Sequence, residues 1–75
     1  MKELIEYLAK SIAHDPESVK VIEVEEEGRT IIELAVGDDD KGRIIGKHGR
    51  VAQAMRLLLR VVAVKEGTRA VLTIT

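Results

Sequence analysis

Along the first thirteen residues, apolar side chains recur three and four positions apart. Leu4, Ile5, Leu8, Ala9 and Ile12 fall on one side of a helix, and Glu6 and Lys10 form an i, i+4 pair on the other. The spacing predicts an amphipathic helix over 2–13, ended near His14-Asp15-Pro16 because proline disfavours helical geometry in the residue before it. Residues 18–26 and 29–36 are rich in Val and Ile and meet at Glu27-Gly28, a turn signal that predicts a β-hairpin. In the second strand Thr30, Ile32, Leu34 and Val36 share one face, the expected core side, with Arg29, Ile31, Glu33 and Ala35 on the other.

Gly37-Asp38-Asp39-Asp40 breaks the alternation, and Asp39 or Asp40 is placed to cap a short helix running from Lys41 to Gly46. Residues 50–65 hold neither Gly nor Pro and predict a longer helix with Val51, Ala54, Met55, Leu58 and Val62 as its core stripe. Leu57, Val61 and Val64 lie on a flank outside that stripe, more apolar surface than one sheet face should cover. We read them as a dimer seam, the alternative being a broad core-facing stripe. Gly67 suits a left-handed helix end, and a last strand over 69–75 points Ala70, Leu72 and Ile74 one way. The order α-β-β-α-α-β predicts one α+β domain over 1–75, a three-stranded mixed sheet with three helices packed on one face.

Composition narrows the function. Without cysteine, disulfides, thiolate metal sites and cysteine nucleophiles are excluded. The acids interleaved at the N-terminus are unlike a signal peptide, and no stretch reaches the roughly 18 apolar residues of a membrane span, so a cytoplasmic location is expected. The formal net charge of -1 conceals a segregation: residues 1–40 hold four basic side chains against twelve acidic, whereas residues 41–65 hold seven basic and no acidic ones. One face can therefore be basic on a nearly neutral chain, and phosphate contact follows the local field.

The chemistry concentrates in Arg43-Ile44-Ile45-Gly46-Lys47-His48-Gly49-Arg50, where two helices meet through two glycines separated by Lys47 and His48. Side-chain-free Gly46 and Gly49 let a sugar-phosphate backbone come close, and the helix starting at Arg50 offers N–H groups and a positive dipole end. A nucleoside-triphosphate loop does not fit: only three residues separate Gly42 from Gly46, and His48 stands where a magnesium-binding hydroxyl is needed. Asp38-Asp39-Asp40 is read as a capping, solvated turn and not a divalent-metal site, because consecutive carboxylates do not converge on one ion. No metal, cofactor or small-molecule substrate is expected, and no nucleophile–base pair or paired carboxylates suggest an enzyme.

The segment Ile44-Ile45-Gly46-Lys47-His48-Gly49-Arg50 resembles the helix–GxxG–helix signature of KH domains, whose loop clamps about four nucleotides of backbone. The element order is similar to the type II KH arrangement, and the stretch from Asp38 to Arg50 is similar to the small bacterial KhpA, or YlqC-like, family. That resemblance implies a single-stranded RNA-binding protein, acting as an RNA chaperone or post-transcriptional regulator in cell elongation and division. It also implies pairing as a homodimer or with a larger KhpB-like KH partner.

Within this reading Gly46, Lys47, His48, Gly49 and Arg50 grip RNA. Ile44, Ile45, Val51 and the edge of residues 30–36 are expected to floor a groove for bases, and Lys41 and Arg43 are secondary contacts. Arg56 and Arg60 are either further contacts or a solvated helix face, and His48 is either a specific contact or a tolerated loop residue. Tyr7 is the sole aromatic, so base stacking worth about 1–3 kcal/mol per base is missing and single-domain affinity should be modest. The competing reading is a protein-interaction module that dimerises or docks a KH partner with little RNA binding of its own.

Overall fold

The computed structural model describes residues 1–75 and resolves these stretches into α1 (Lys2–Ile12), β1 (Lys20–Glu26), β2 (Arg29–Ala35), α2 (Asp38–Ile45), α3 (Arg50–Lys65) and β3 (Arg69–Ile74). Single 3-10 turns lie at Pro16–Ser18 and Lys47–Gly49. Glu27 (φ 52°) and Gly28 (φ 78°) are both left-handed, the two-residue turn whose twist matches antiparallel strands. That turn sets the β1–β2 register from Lys20 opposite Ala35 to Glu26 opposite Arg29. β3 joins the other side of β2 in parallel, from Arg29 beside Arg69 to Leu34 beside Ile74. A parallel neighbour requires a crossover, and α2 and α3 supply it. The result is the mixed sheet β1-β2-β3 with three helices expected from the sequence.

The core lies where the β2 alternation puts it. Thr30, Ile32, Leu34 and Val36 are all buried, joined by Val21 and Leu72 from the flanking strands, Ile5 and Ala9 from α1, and Met55 and Leu59 from α3. The other sheet face stays open, and Ile22, Val24 and Val71 are exposed on it.

The orientation of α3 differs from expectation. Ala52, Met55, Leu59 and Ala63 face the core, whereas Ala54 and Leu58 are exposed and Val51 and Val62 are half-buried. The helix is apolar on nearly every side, so periodicity admits more than one stripe. The stripe that packs carries two alanines, Ala52 and Ala63, with Met55 and Leu59 between them. α2 also begins earlier than predicted, at Asp38, with Gly37 as N-cap and no side-chain cap. Its three aspartates occupy the first turn, where negative charge favours the helix dipole.

This orientation is testable by urea unfolding. Leu59→Ala should lower stability by about 2–5 kcal/mol, and Leu58→Ala should change it by no more than about 0.5 kcal/mol. The reverse ranking would restore the stripe read from periodicity.

Candidate nucleic-acid interface

α2 stops where the backbone leaves the helical region at Gly46 (φ 81°, ψ 169°), whose N–H donates to Gly42 O at 2.8 Å. A Cβ at Gly46 would collide with the Val51 side chain, lying 2.8 Å from its Cβ and 2.9 Å from its backbone N, so only glycine lets α2 and α3 meet here. His48 (φ 58°, ψ 24°) and Gly49 (φ 71°, ψ 14°) follow in the left-handed region, and Gly49 N–H donates to Gly46 O at 3.0 Å. For His48, a side-chain-bearing residue, that conformation costs about 1–2 kcal/mol. Such strain persists when surrounding packing fixes it, and it clusters at ligand clamps. At Gly49, by contrast, a Cβ would meet nothing within 4 Å. One glycine is needed by the protein's own packing, and the other leaves open space over the loop. No side chain caps the first turn of α3 behind it.

The loop is held in place by an acid that the sequence reading assigned to capping. Asp40 does not cap α2. It is 1% exposed, and its carboxylate accepts the N–H of His14 at 2.9 Å and of Asp15 at 3.0 Å, with Arg43 Nε 3.8 Å away. It therefore ties α2 to the connection between α1 and β1. The Asp15 and His14 amides, in that order, hold its carboxyl below the ordinary aspartate value, against the opposing effect of burial and with help from the Arg43 charge.

Lys47, His48 and Arg50 are exposed at the loop, and neither Lys47 nor Arg50 has a carboxylate within 4.0 Å. Ile45 lies beside them and is partly exposed. Lys41 pairs with Asp38 at 3.6 Å, and Arg43 leans on Asp40. Two expectations are corrected. Ile44 is 0% exposed and belongs to the core, so it anchors α2 and offers no surface to a base. Residues 30–36 present no free edge, because β2 is paired on both sides.

The strand beside the loop helices is β3. Arg56 Nη2 donates to Leu72 O at 3.5 Å, and Arg56, Leu59, Arg60, Ala70, Val71 and Leu72 line a recess of about 180 Å³ between α3 and that strand. Gln53, Arg56, Leu57 and Arg60 line a shallower one of about 220 Å³ next to it. The sequence carried part of this signal, since Arg50, Gln53, Leu57 and Arg60 lie three and four apart on one helical face leading away from the loop. The role of β3 could not be read before knowing which strand is central. Leu57 also borders an apolar strip of α3 with Leu58, Val61 and Val64, and all four are 46–70% exposed.

A βααβ core opened by a glycine-kinked loop between two helices, with an added helix and strand before it, defines a type II KH domain. The comparisons narrow this class. A sequence model of the family described as "KhpA/KhpB, KH domain" matches residues 2–74, and the chain belongs to that family. Relatives named RNA-binding protein KhpA from Clostridium perfringens and Clostridium acetobutylicum are each 46% identical over 74 residues, covering 99% of this chain and 99% of theirs. The Aquifex aeolicus relative of the same name is 39% identical, over 99% of this chain and 94% of its own. Among solved structures, Aquifex aeolicus Era bound to GDP.AlF4- and Era in complex with MgGDPNP and nucleotides 1506-1542 of 16S ribosomal RNA superpose with TM-score 0.65 at 21% identity. Each match covers 97% of this chain but only 28% of the Era chain, so that likeness concerns the fold alone.

Two substitutions separate the glycines. Gly46→Ala should cost about 3 kcal/mol or more through backbone strain and overlap with Val51, and Gly49→Ala about 1–2 kcal/mol through strain alone, both read by chemical denaturation.

Asp40 gives a pH signature. Its folded pKa is lowered, so its contribution is fully present above the unfolded value, near 3.8, and is lost as pH falls through the folded one. Asp40→Asn should lower the thermal midpoint at neutral pH. It should also flatten the decline in stability below about pH 3.8; parallel acid profiles for the two proteins would refute the clamp.

Proposed function

We propose that this chain is a single-stranded RNA-binding protein and not an enzyme, gripping the sugar-phosphate backbone at Gly46-Lys47-His48-Gly49-Arg50 and seating bases in the groove between α3 and β3. The observation that carries the reading is the loop itself. Its backbone is left-handed at His48 and Gly49, with open space over Gly49 and unpaired Lys47 and Arg50 on either side. The relatives' name, RNA-binding protein KhpA, supports the same conclusion. Lys41 and Arg43 contribute charge from α2, Ile45 an apolar contact beside the loop, and Arg56 and Arg60 extend the basic side of the groove.

Affinity from one copy is modest, because the groove holds no aromatic platform and Tyr7 is on α1. The exposed ridge of Leu57, Val61 and Val64 suits a second copy of the chain. A homodimer would put two loops on one particle and raise avidity without a new RNA contact. A larger KhpB-like KH protein could occupy the same ridge. The likeness to the family further suggests RNA chaperoning or post-transcriptional regulation in cell elongation and division, carried out in the cytoplasm. The second reading, an interaction module with little RNA binding, draws on the same ridge.

Fluorescence anisotropy of a labelled single-stranded RNA separates the two. Lys47→Asp/His48→Asp should abolish binding at low salt while circular dichroism stays unchanged, and equal binding by both proteins would favour the interaction module. In light scattering, Leu57→Glu or Val61→Asp should give a folded monomer from a wild-type dimer. A monomeric wild type would remove the seam.

A further inference from the structure

Arg29 and Arg69 stand side by side in the parallel register of β2 and β3, on the sheet face turned away from the helices. Like charges directly opposite one another destabilise a sheet, a cost that Glu26, opposite Arg29 on the other side, offsets only in part. Arg60 approaches from α3. With Ala63, Val64, Thr68, Ala70 and Val71, the three arginines line a recess of about 390 Å³ at the start of β3.

None of the three has a carboxylate within 4.0 Å, although Glu26 is the register neighbour of Arg29. The recess is continuous with the groove already described, since Arg60, Ala70 and Val71 line both. Ten residues of α3 separate Arg50 from Arg60, about 15 Å at the helical rise. The recess thus lies at the far end of α3 from the loop that holds about four nucleotides.

We propose that the Arg29–Arg60–Arg69 recess is a second phosphodiester site, which takes the RNA backbone as it leaves the groove. The proposal rests on the RNA-binding reading above. Planar guanidinium forks match phosphate oxygens, and a phosphate between Arg29 and Arg69 turns their repulsion into attraction. Glu25, Glu26 and Glu27 line an adjoining recess that shares Arg29 and Thr68, and their charge ends the track there. Bound RNA is therefore longer than the loop alone requires.

The test titrates labelled single-stranded RNAs of about four and about ten nucleotides, sharing the same core, across a salt series. Wild type is compared with Arg29→Thr/Arg69→Thr, threonine being a good strand former. Wild type should bind the longer RNA more tightly and with a steeper salt dependence. The variant should lose that gain, its salt slope falling by about 0.7 for each phosphate contact removed, while binding of the short RNA is unchanged. Its thermal midpoint should stay close to wild type, because the repulsive Arg29–Arg69 pair and the attractive Arg29–Glu26 pair are lost together; if it does unfold, Arg69→Gln alone repeats the comparison.

Wild-type slope and affinity in the folded variant would overturn the second site and leave the loop reading intact. Failure of wild type to bind either RNA would overturn both. Competition by poly-glutamate at equal charge as effective as by the longer RNA would also overturn the site, since its occupant would then be an acidic chain and not a phosphodiester.

Discussion

One carboxylate adds a polar tie between the N-terminal part of the chain and the segment that carries the loop. Asp40 sits in the first turn of α2, yet its oxygens are spent on the amides of His14 and Asp15, in the connection that follows α1. An aspartate in that place does two jobs: it complements the dipole of α2, and it satisfies two N–H groups that would otherwise be stranded where α1 gives way to β1. With Ile44 in the core a turn later, α2 is fixed at both ends, and the exit direction of the chain at Gly46 follows. The close contact of Gly46 with Val51 then fixes α3 against α2. Loop strain at His48 is tolerable because both helices are held independently of it.

This arrangement also explains how a nearly neutral protein presents a basic face. The hairpin carries five of the thirteen acids, Glu23, Glu25, Glu26, Glu27 and Glu33, all exposed. The loop and α3 carry free cations, and Arg29 and Arg69 add two more on the strands. Two of the cations in the basic segment, Lys41 and Arg43, are partly neutralised by Asp38 and Asp40, which leaves Lys47, Arg50, Arg56, Arg60 and Lys65 without an acidic partner. Their field acts at short range, because a Debye length of about 8 Å at physiological ionic strength screens the acids of the hairpin from the loop.

Much of this was legible in the sequence, and what was missed has physical causes. The alternation Thr30, Ile32, Leu34, Val36 named the buried face correctly, because a strand with one wet face has only one register that buries its apolar set. The glycine spacing located the loop, and the exposed ridge at Leu57, Val61 and Val64 was visible as apolar surplus. The rotation of α3 was not legible, since a helix apolar on most sides lets packing choose the stripe, and it chose the one with alanines. The groove wall was assigned to residues 30–36 because strand order depends on tertiary pairing, which places β2 in the centre and β3 at the edge. Asp40 was taken for a cap because its partners are more than twenty residues away, where local pattern carries no information.

The central claim, that the loop and the α3–β3 groove form one RNA-binding surface, is tested most directly by following backbone amide chemical shifts during titration with single-stranded RNA. The account predicts progressive, salt-sensitive changes at Gly46 to Arg50, along α3 through Gln53, Arg56 and Arg60, and at Ala70 to Leu72, with α1 and the Lys20 to Val24 stretch of β1 unmoved. Changes confined to the Leu57–Val61–Val64 ridge, or to the hairpin, would contradict it.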